Sequence, residues 1–132
     1  MFITVNGTSY ELKTTLGSAK ALEKRFNMPI SSIFGKIDSA EIGELIDILK
    51  TALVDKSEAA KVEEEILDNW DYADIQTAVQ EVLASIMISG SDEEKERKLD
   101  RLVPDDNAKN ALRAVLGLPT KDKLVDLSGG SA

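Results

Sequence analysis

Histidine and cysteine are both missing from this chain of 132 residues, and the two absences remove a large part of side-chain chemistry. Without cysteine there is no disulfide framework, no thiolate zinc site and no cysteine nucleophile. Without histidine, a serine nucleophile must take lysine or a carboxylate as its base, and no Gly-x-Ser-x-Gly turn or Ser-x-x-Lys motif presents one. Aromatic residues amount to 5%, which leaves few platforms for stacking a sugar between paired carboxylates. Gly129 and Gly130 lie beside no Lys-Ser or Lys-Thr pair and precede no helical pattern, so they cradle no phosphate. No apolar run approaches the roughly 18–20 residues of a membrane span. The start, MFITVNG, has neither the basic flank nor the long apolar stretch of a secretory signal. These absences predict a cytoplasmic protein that is not an enzyme, carries no cofactor and enters no membrane.

What is present suits one soluble domain. The chain is 42% hydrophobic and 30% charged, an ordinary globular balance, and its length suffices to bury about two-thirds of the unfolded surface. The net charge of −8 is unevenly spread. Residues 1–37 carry five basic and two acidic side chains, residues 38–91 three and thirteen, and residues 92–132 eight and nine. The middle belt would repel phosphate backbones, so no nucleic-acid partner is expected. Two readings of the belt stay open: a solubilising surface, or one half of a head-to-tail self-association with the basic end.

Residues 2–12 form the strongest local signal. Ile3 and Val5, then Tyr10 and Leu12, alternate with Thr4, Ser9, Glu11 and Lys13 around Asn6-Gly7. Asn and Gly reach the positive φ angles of a two-residue type I′ turn most cheaply, so a β-hairpin is predicted, and an isolated hairpin must lie against something. Helices follow. Thr15 is the predicted N-cap of the first, whose apolar stripe is Leu16, Ala19, Leu22 and Phe26. Asp38 with Glu41 is the expected capping pair of the next, striped by Ile42, Leu45, Ile46, Leu49, Ala52 and Leu53. Ser57 and Glu58 open a third long helix with Val62, Ile66 and Trp70; Asp71 caps a fourth with Ile75, Val79, Val82, Leu83 and Ile86, ended by Gly90. From Ser91 the chain is dominated by charge, as a solvated helix or a hinge to Val103. Pro104 breaks it, Asp105 or Asp106 caps a last helix bearing Ala108, Ala111, Leu112, Val115 and Leu116, and Gly117 closes it. The expected architecture is mainly α: an N-terminal β-hairpin packed on a bundle of about five to six helices, with a C-terminal helical appendage (α+β if the hairpin is counted). Its parts are a compact unit over residues 1–90, a hinge and short helix over 91–118, and a flexible tail over 119–132.

The candidate functional residues are apolar. Ile30, Ile33 and Phe34, between Pro29 and Gly35, fit either the core or a partner's groove. Trp70 and Tyr72 at a helix junction fit either core packing or an interface anchor. Ile88 is off its helix's stripe and is expected to be exposed. Leu112, Val115 and Leu116 could bridge to another molecule. Asp68, Asp71 and Asp74 would share one side of a continuous helix, but they lack the alternating ligands and central glycine of an EF-hand, and the expected role is solvated charge with Asp71 as a cap. Glu63, Glu64 and Glu65 read as a wet face.

The segment Val5-Asn6-Gly7-Thr8-Ser9-Tyr10-Glu11-Leu12-Lys13, then Leu16 through Leu22-Glu23-Lys24-Arg25-Phe26, then the apolar loop Ile30–Phe34 and the helix Ile42–Leu53, resembles the tail assembly chaperones of long-tailed bacteriophages and related prophages. The likeness covers mainly residues 1–55. It implies a small protein of the infected cell's cytoplasm, absent from the finished particle. Such a protein would self-associate and hold the long helical tape measure protein soluble while the tail assembles. It also implies a longer frameshifted product in many members, which a loose segment after Gly117 would suit. It supplies no catalytic residues. Two alternatives remain beside it. An acidic regulatory adaptor or nucleic-acid mimic of a host protein would need carboxylates in regular rows. A small carboxylate-dependent enzyme would need a concavity gathering Asp or Glu with Lys or Arg.

Overall fold

The structure, a computed structural model, describes residues 1–103 and 105–118. Pro104 and the segment expected as a tail, 119–132, lie outside the described residues. Two strands pair first, β1 (Phe2–Val5) and β2 (Thr8–Glu11), antiparallel with Ile3 opposite Tyr10 and Val5 opposite Thr8. Asn6 and Gly7 both take positive φ, 49° and 80°, as the two-residue turn requires. The alternation puts Ile3, Val5, Tyr10 and Leu12 inside. The chain then stays extended for one more pairing. Lys13 N–H donates to Ala52 O at 2.7 Å and Val54 N–H to Glu11 O at 3.0 Å, so the second strand is stitched to the end of a helix forty residues on.

Seven α-helices follow among the described residues: α1 (Leu16–Phe26), α2 (Ile30–Gly35), α3 (Ile42–Ala52), α4 (Ala59–Asn69), α5 (Tyr72–Met87), α6 (Asp92–Leu102) and α7 (Asp106–Leu116). The fold is mainly α with an N-terminal hairpin, as expected. Thr15 caps α1, and Asn27 ends it in the left-handed conformation at φ 53°. The Glu23 carboxylate accepts from Ile30 N–H at 2.9 Å and so satisfies the start of α2. The expected Asp38–Glu41 cap does not form. Asp38 sits in a 3-10 turn, Ile37–Ser39, and the reciprocal partner of Glu41 is Glu44, whose carboxylate accepts from Glu41 N–H at 3.1 Å. Likewise Asp55, not Ser57, opens the turn Lys56–Glu58 that leads into α4.

The chain divides into two compact units, Met1–Met87 and one beginning at Ile88. In the first, one continuous core joins the hairpin residues to Leu22 of α1, Ile33 of α2, Leu45 and Leu49 of α3, Val62 and Ile66 of α4, and Val79, Val82 and Leu83 of α5. In the second, Ser91 caps α6 by accepting from Glu94 N–H at 3.2 Å, and Asp105 caps α7 by accepting from Ala108 N–H at 3.0 Å. Gly117, at φ 76°, closes α7, and Leu118 N–H returns to Arg113 O at 2.8 Å, the paired C-terminal geometry that glycine allows. Its buried apolar side chains among the described residues are Ile88, Leu99, Leu112 and Leu118.

Three stripe assignments need correction. Leu16 is 82% exposed and Ile42 50% exposed, although each was expected on a buried face. Both are the first residue of their helix, where the Cα–Cβ bond leans back past the helix end and no earlier turn lies beneath it. Ile88, expected to be exposed, is 1% exposed. Helix α5 ends at Met87, so the helical spacing that set Ile88 off the stripe does not extend to it.

Candidate protein-binding surface

The sequence-predicted surface residues divide by burial. Ile33, Ile88 and Leu112 are buried and offer no surface in this conformation. Ile30 and Phe34 are half-buried and pack against the core of the first unit, so α2 serves that core. Val115 and Leu116 of α7 are half-buried. Trp70 is half-buried and packs on the core by one side, whereas Tyr72 is 43% exposed.

Trp70 and Tyr72 come together with two residues that sequence reasoning had not marked. Trp70 stops α4, its backbone extended at φ −98° and ψ 148°, and Asp71 starts α5. Asp71 and Asp74 cap that start reciprocally: Asp74 N–H donates to Asp71 Oδ1 at 2.8 Å and Asp71 N–H to Asp74 Oδ2 at 3.1 Å. The helix is therefore not continuous from Asp68 to Asp74, and the condition for a shared row of three carboxylates fails. The break places Trp70 and Tyr72 beside Ile42 and Leu67 around a concavity of about 110 Å³, floored by Ile66 and Ile75. Tyr72 Oη donates to Ala40 O at 3.4 Å, which ties the wall formed by α5 to the segment leading into α3. Leu67 is 58% exposed. Its signal was available in the sequence: an apolar residue off the Val62, Ile66, Trp70 stripe of its own helix.

Helices α3 and α4 run antiparallel past this point. Ile42 at the start of α3 meets Leu67 near the end of α4, while Lys50 in the last turn of α3 reaches Glu63 at 2.6 Å. A shallow concavity of about 320 Å³ continues along them from Leu67, lined by Ala60, Lys50 and the carboxylates of Glu63, Glu64 and Asp68. This hollow does gather carboxylates with a lysine, the arrangement the enzyme alternative required, but the lysine is engaged by Glu63. Among the described residues no group of three carboxylates is placed to hold a metal ion, and no helix is long and apolar enough to cross a membrane.

The second unit is organised by a residue sequence reasoning missed. Arg113 lies 3% exposed on the buried side of α7. Its Nε donates to both Glu96 oxygens at 3.2 Å, its Nη2 to Glu96 Oε2 at 3.1 Å, and its Nη1 to Asn110 Oδ1 at 3.0 Å. The hydrogen bonds it donates to the Glu96 carboxylate raise its pKa further. One residue past Leu112, Arg113 sits about 100° round the helix and off the apolar stripe, so no local signal marked it.

The exposed apolar cluster lies within the part of the chain that can be related to known proteins. The sequence model of a family described as phage tail assembly chaperone protein, TAC, matches residues 2–93, from the hairpin into α6 and well past the 1–55 carried by the motifs. No curated protein and no solved structure matches the chain. Since the match covers more than half of its length and all but the first residue of the first unit, the chain belongs to the phage tail assembly chaperone family.

Proposed function

We propose that this chaperone binds the tape measure protein and keeps it soluble in the host cytoplasm during tail morphogenesis, without catalysing a reaction. The observation that carries this reading is the cluster of Ile42, Leu67 and Tyr72 around Trp70, all exposed or half-exposed in a family-matched unit whose remaining core is closed. Apolar side chains left open on a folded surface favour contact with another apolar surface, and a long helical protein awaiting assembly presents many. The acidic belt of residues 38–91 keeps such a complex soluble. Self-association of the chaperone is part of the proposal, driven by the opposite charge of residues 1–37 and that belt.

Co-expression with the long helical protein encoded beside it tests the reading. The partner is expected to move from the pellet into a soluble complex; a partner that stays insoluble overturns it. Light scattering on the full chain and on a chain ending at Val103 tests self-association. Unchanged assembly would remove α7 and the residues beyond it from the contact.

A further inference from the structure

We infer that the hollow between α3 and α4, anchored by Ile42, Leu67, Trp70 and Tyr72, is a docking groove for a cationic amphipathic helix of the guest polypeptide. This rests on the chaperone reading and names the chemistry of its site. Three of the seven large apolar side chains exposed among the described residues meet at this one place. Beside its buried floor stands a tryptophan held half-open at a helix break, a rigid ring that gives much contact area for little entropy loss.

The shape selects a helix. The walls are α-helices, so no strand edge is on offer, and a guest must be read through side chains at helical spacing. The hollow runs on from Leu67 toward Ala60 along the two antiparallel helices, a trough rather than a pit.

The rim selects the charge. Glu64, Asp68 and Asp71 border the hollow, and its lysine, Lys50, is neutralised by Glu63. A guest helix with Lys or Arg flanking its apolar stripe is drawn in, and an acidic one is repelled. A second copy of this chain is the weaker fit. Its cationic helix with an exposed apolar residue is α1, and among α1's large apolar side chains the highly exposed one is Leu16 alone, one anchor for a site with several.

Trp70 is the single tryptophan of the chain, so its emission reports the groove without labelling. The probe is a synthetic helix of roughly five turns with leucines at i, i+3, i+4 and i+7 and flanking lysines; the control replaces every lysine with glutamate. Titrated into the full chain, the lysine helix is expected to shift Trp70 emission to shorter wavelength and to saturate. The glutamate helix, and the lysine helix against an Ile42→Ser/Leu67→Ser double variant, are each expected to bind at least about tenfold more weakly. Both substituted positions are half-exposed or more, and unchanged circular dichroism verifies the variant's fold. An unmoved emission, equal binding of the two helices, or full binding by the variant overturns the inference. So does light scattering in which the purified chain self-associates and the double variant does not, since a second copy then fills the groove. If the variant still holds the tape measure protein soluble, the groove assignment fails while the chaperone reading stands. If the unaltered chain cannot solubilise that protein although the lysine helix binds, the chaperone reading fails and the groove remains a helix site.

Discussion

The two units of this molecule are held together by different physics. In residues 1–87 a single apolar core reaches from the hairpin through five helices, and its ion pairs, such as Arg25–Asp47, lie at the surface. Among the described residues of the second unit the buried apolar set is Ile88, Leu99, Leu112 and Leu118, and a guanidinium, that of Arg113, is buried as well. Apolar burial is non-directional and forgiving of small shifts, whereas a bidentate Arg–carboxylate contact fixes one geometry and fails as a unit. The family match follows the same division, covering nearly all of the first unit and only the opening residues of the second.

The comparison breaks most sharply in the core. Leu49 is fully buried at the centre of α3. Leu49→Ala is expected to cost about 3 kcal/mol, from lost transfer energy and the cavity left behind. Urea denaturation of the variant should show that loss with little change between low and high salt, because no charge is involved. A loss below about 1 kcal/mol would mean that the first unit relaxes around the gap and is less tightly packed than its burial indicates.

Arg113 is the counterpart in the second unit. Arg113→Ala removes one side of a buried pair and is expected to cost that unit about 2–3 kcal/mol, somewhat below a fully buried pair because Glu96 is partly exposed. Amide exchange should rise across α6 and α7 while the hairpin strands stay protected. Arg113→Met sharpens the contrast: it keeps volume and drops the charge. If Met restores exchange protection, the unit needs burial at this position more than it needs the ion pair.

A smaller effect is expected at Gly90. Its φ of 115° is open to glycine and costly to other residues, and a Cβ there would stand 2.6 Å from Glu94 Oε2. Glu94 is also the residue whose N–H the Ser91 hydroxyl caps. Gly90→Ala should therefore lower the helicity of α6 by about 1–2 kcal/mol of capping and strain, read as the amide exchange of residues 92–95. An unchanged rate would show that Glu94 swings aside and that the backbone at residue 90 relaxes away from positive φ without disturbing the cap.

The sequence carried the local grammar of this fold further than its tertiary contacts. Asn6-Gly7, Thr15, Asp71, Ser91, Asp105 and Gly117 all act through their nearest neighbours, so their roles were legible from residue type alone. The misreadings fall where an element begins or ends. Leu16 and Ile42 continue a stripe by number but lie at a first turn that has nothing beneath it, and Ile88 lies one residue past the end of α5. The surface cluster was half legible. Trp70 and Tyr72 announced themselves as aromatics at a junction, but Ile42 lies twenty-eight residues before Trp70 and joins them only through the antiparallel packing of α3 on α4. Arg113 and Glu96 are seventeen residues apart on different helices, and no local rule pairs them.

The smallest effect expected returns to the first unit, at its one polar irregularity. The Tyr10 hydroxyl and Glu65 Oε2 are both buried without a hydrogen-bond partner among the described residues. Burial first, then the approach of Glu65 both as a potential acceptor for the hydroxyl and as a charge, then Glu58, push the Tyr10 pKa from 10.0 up to about 12. The unfolded chain releases this proton near pH 10 while the folded chain keeps it to about 12. The folded state therefore binds more protons across that window, and stability is constant below it and falls as pH rises through it. Tyr10→Phe removes both the unpartnered hydroxyl and the titration. It should leave stability at pH 7 within about 1 kcal/mol of the parent, in either direction. It should also flatten the alkaline loss that thermal melts record between pH 10 and 12. A Phe variant that loses stability as steeply as the parent would assign the alkaline transition to the other tyrosine or to the lysines. A Phe variant much less stable at neutral pH would show that the hydroxyl is bonded after all, and that the core of the first unit holds a polar contact like the one that organises the second.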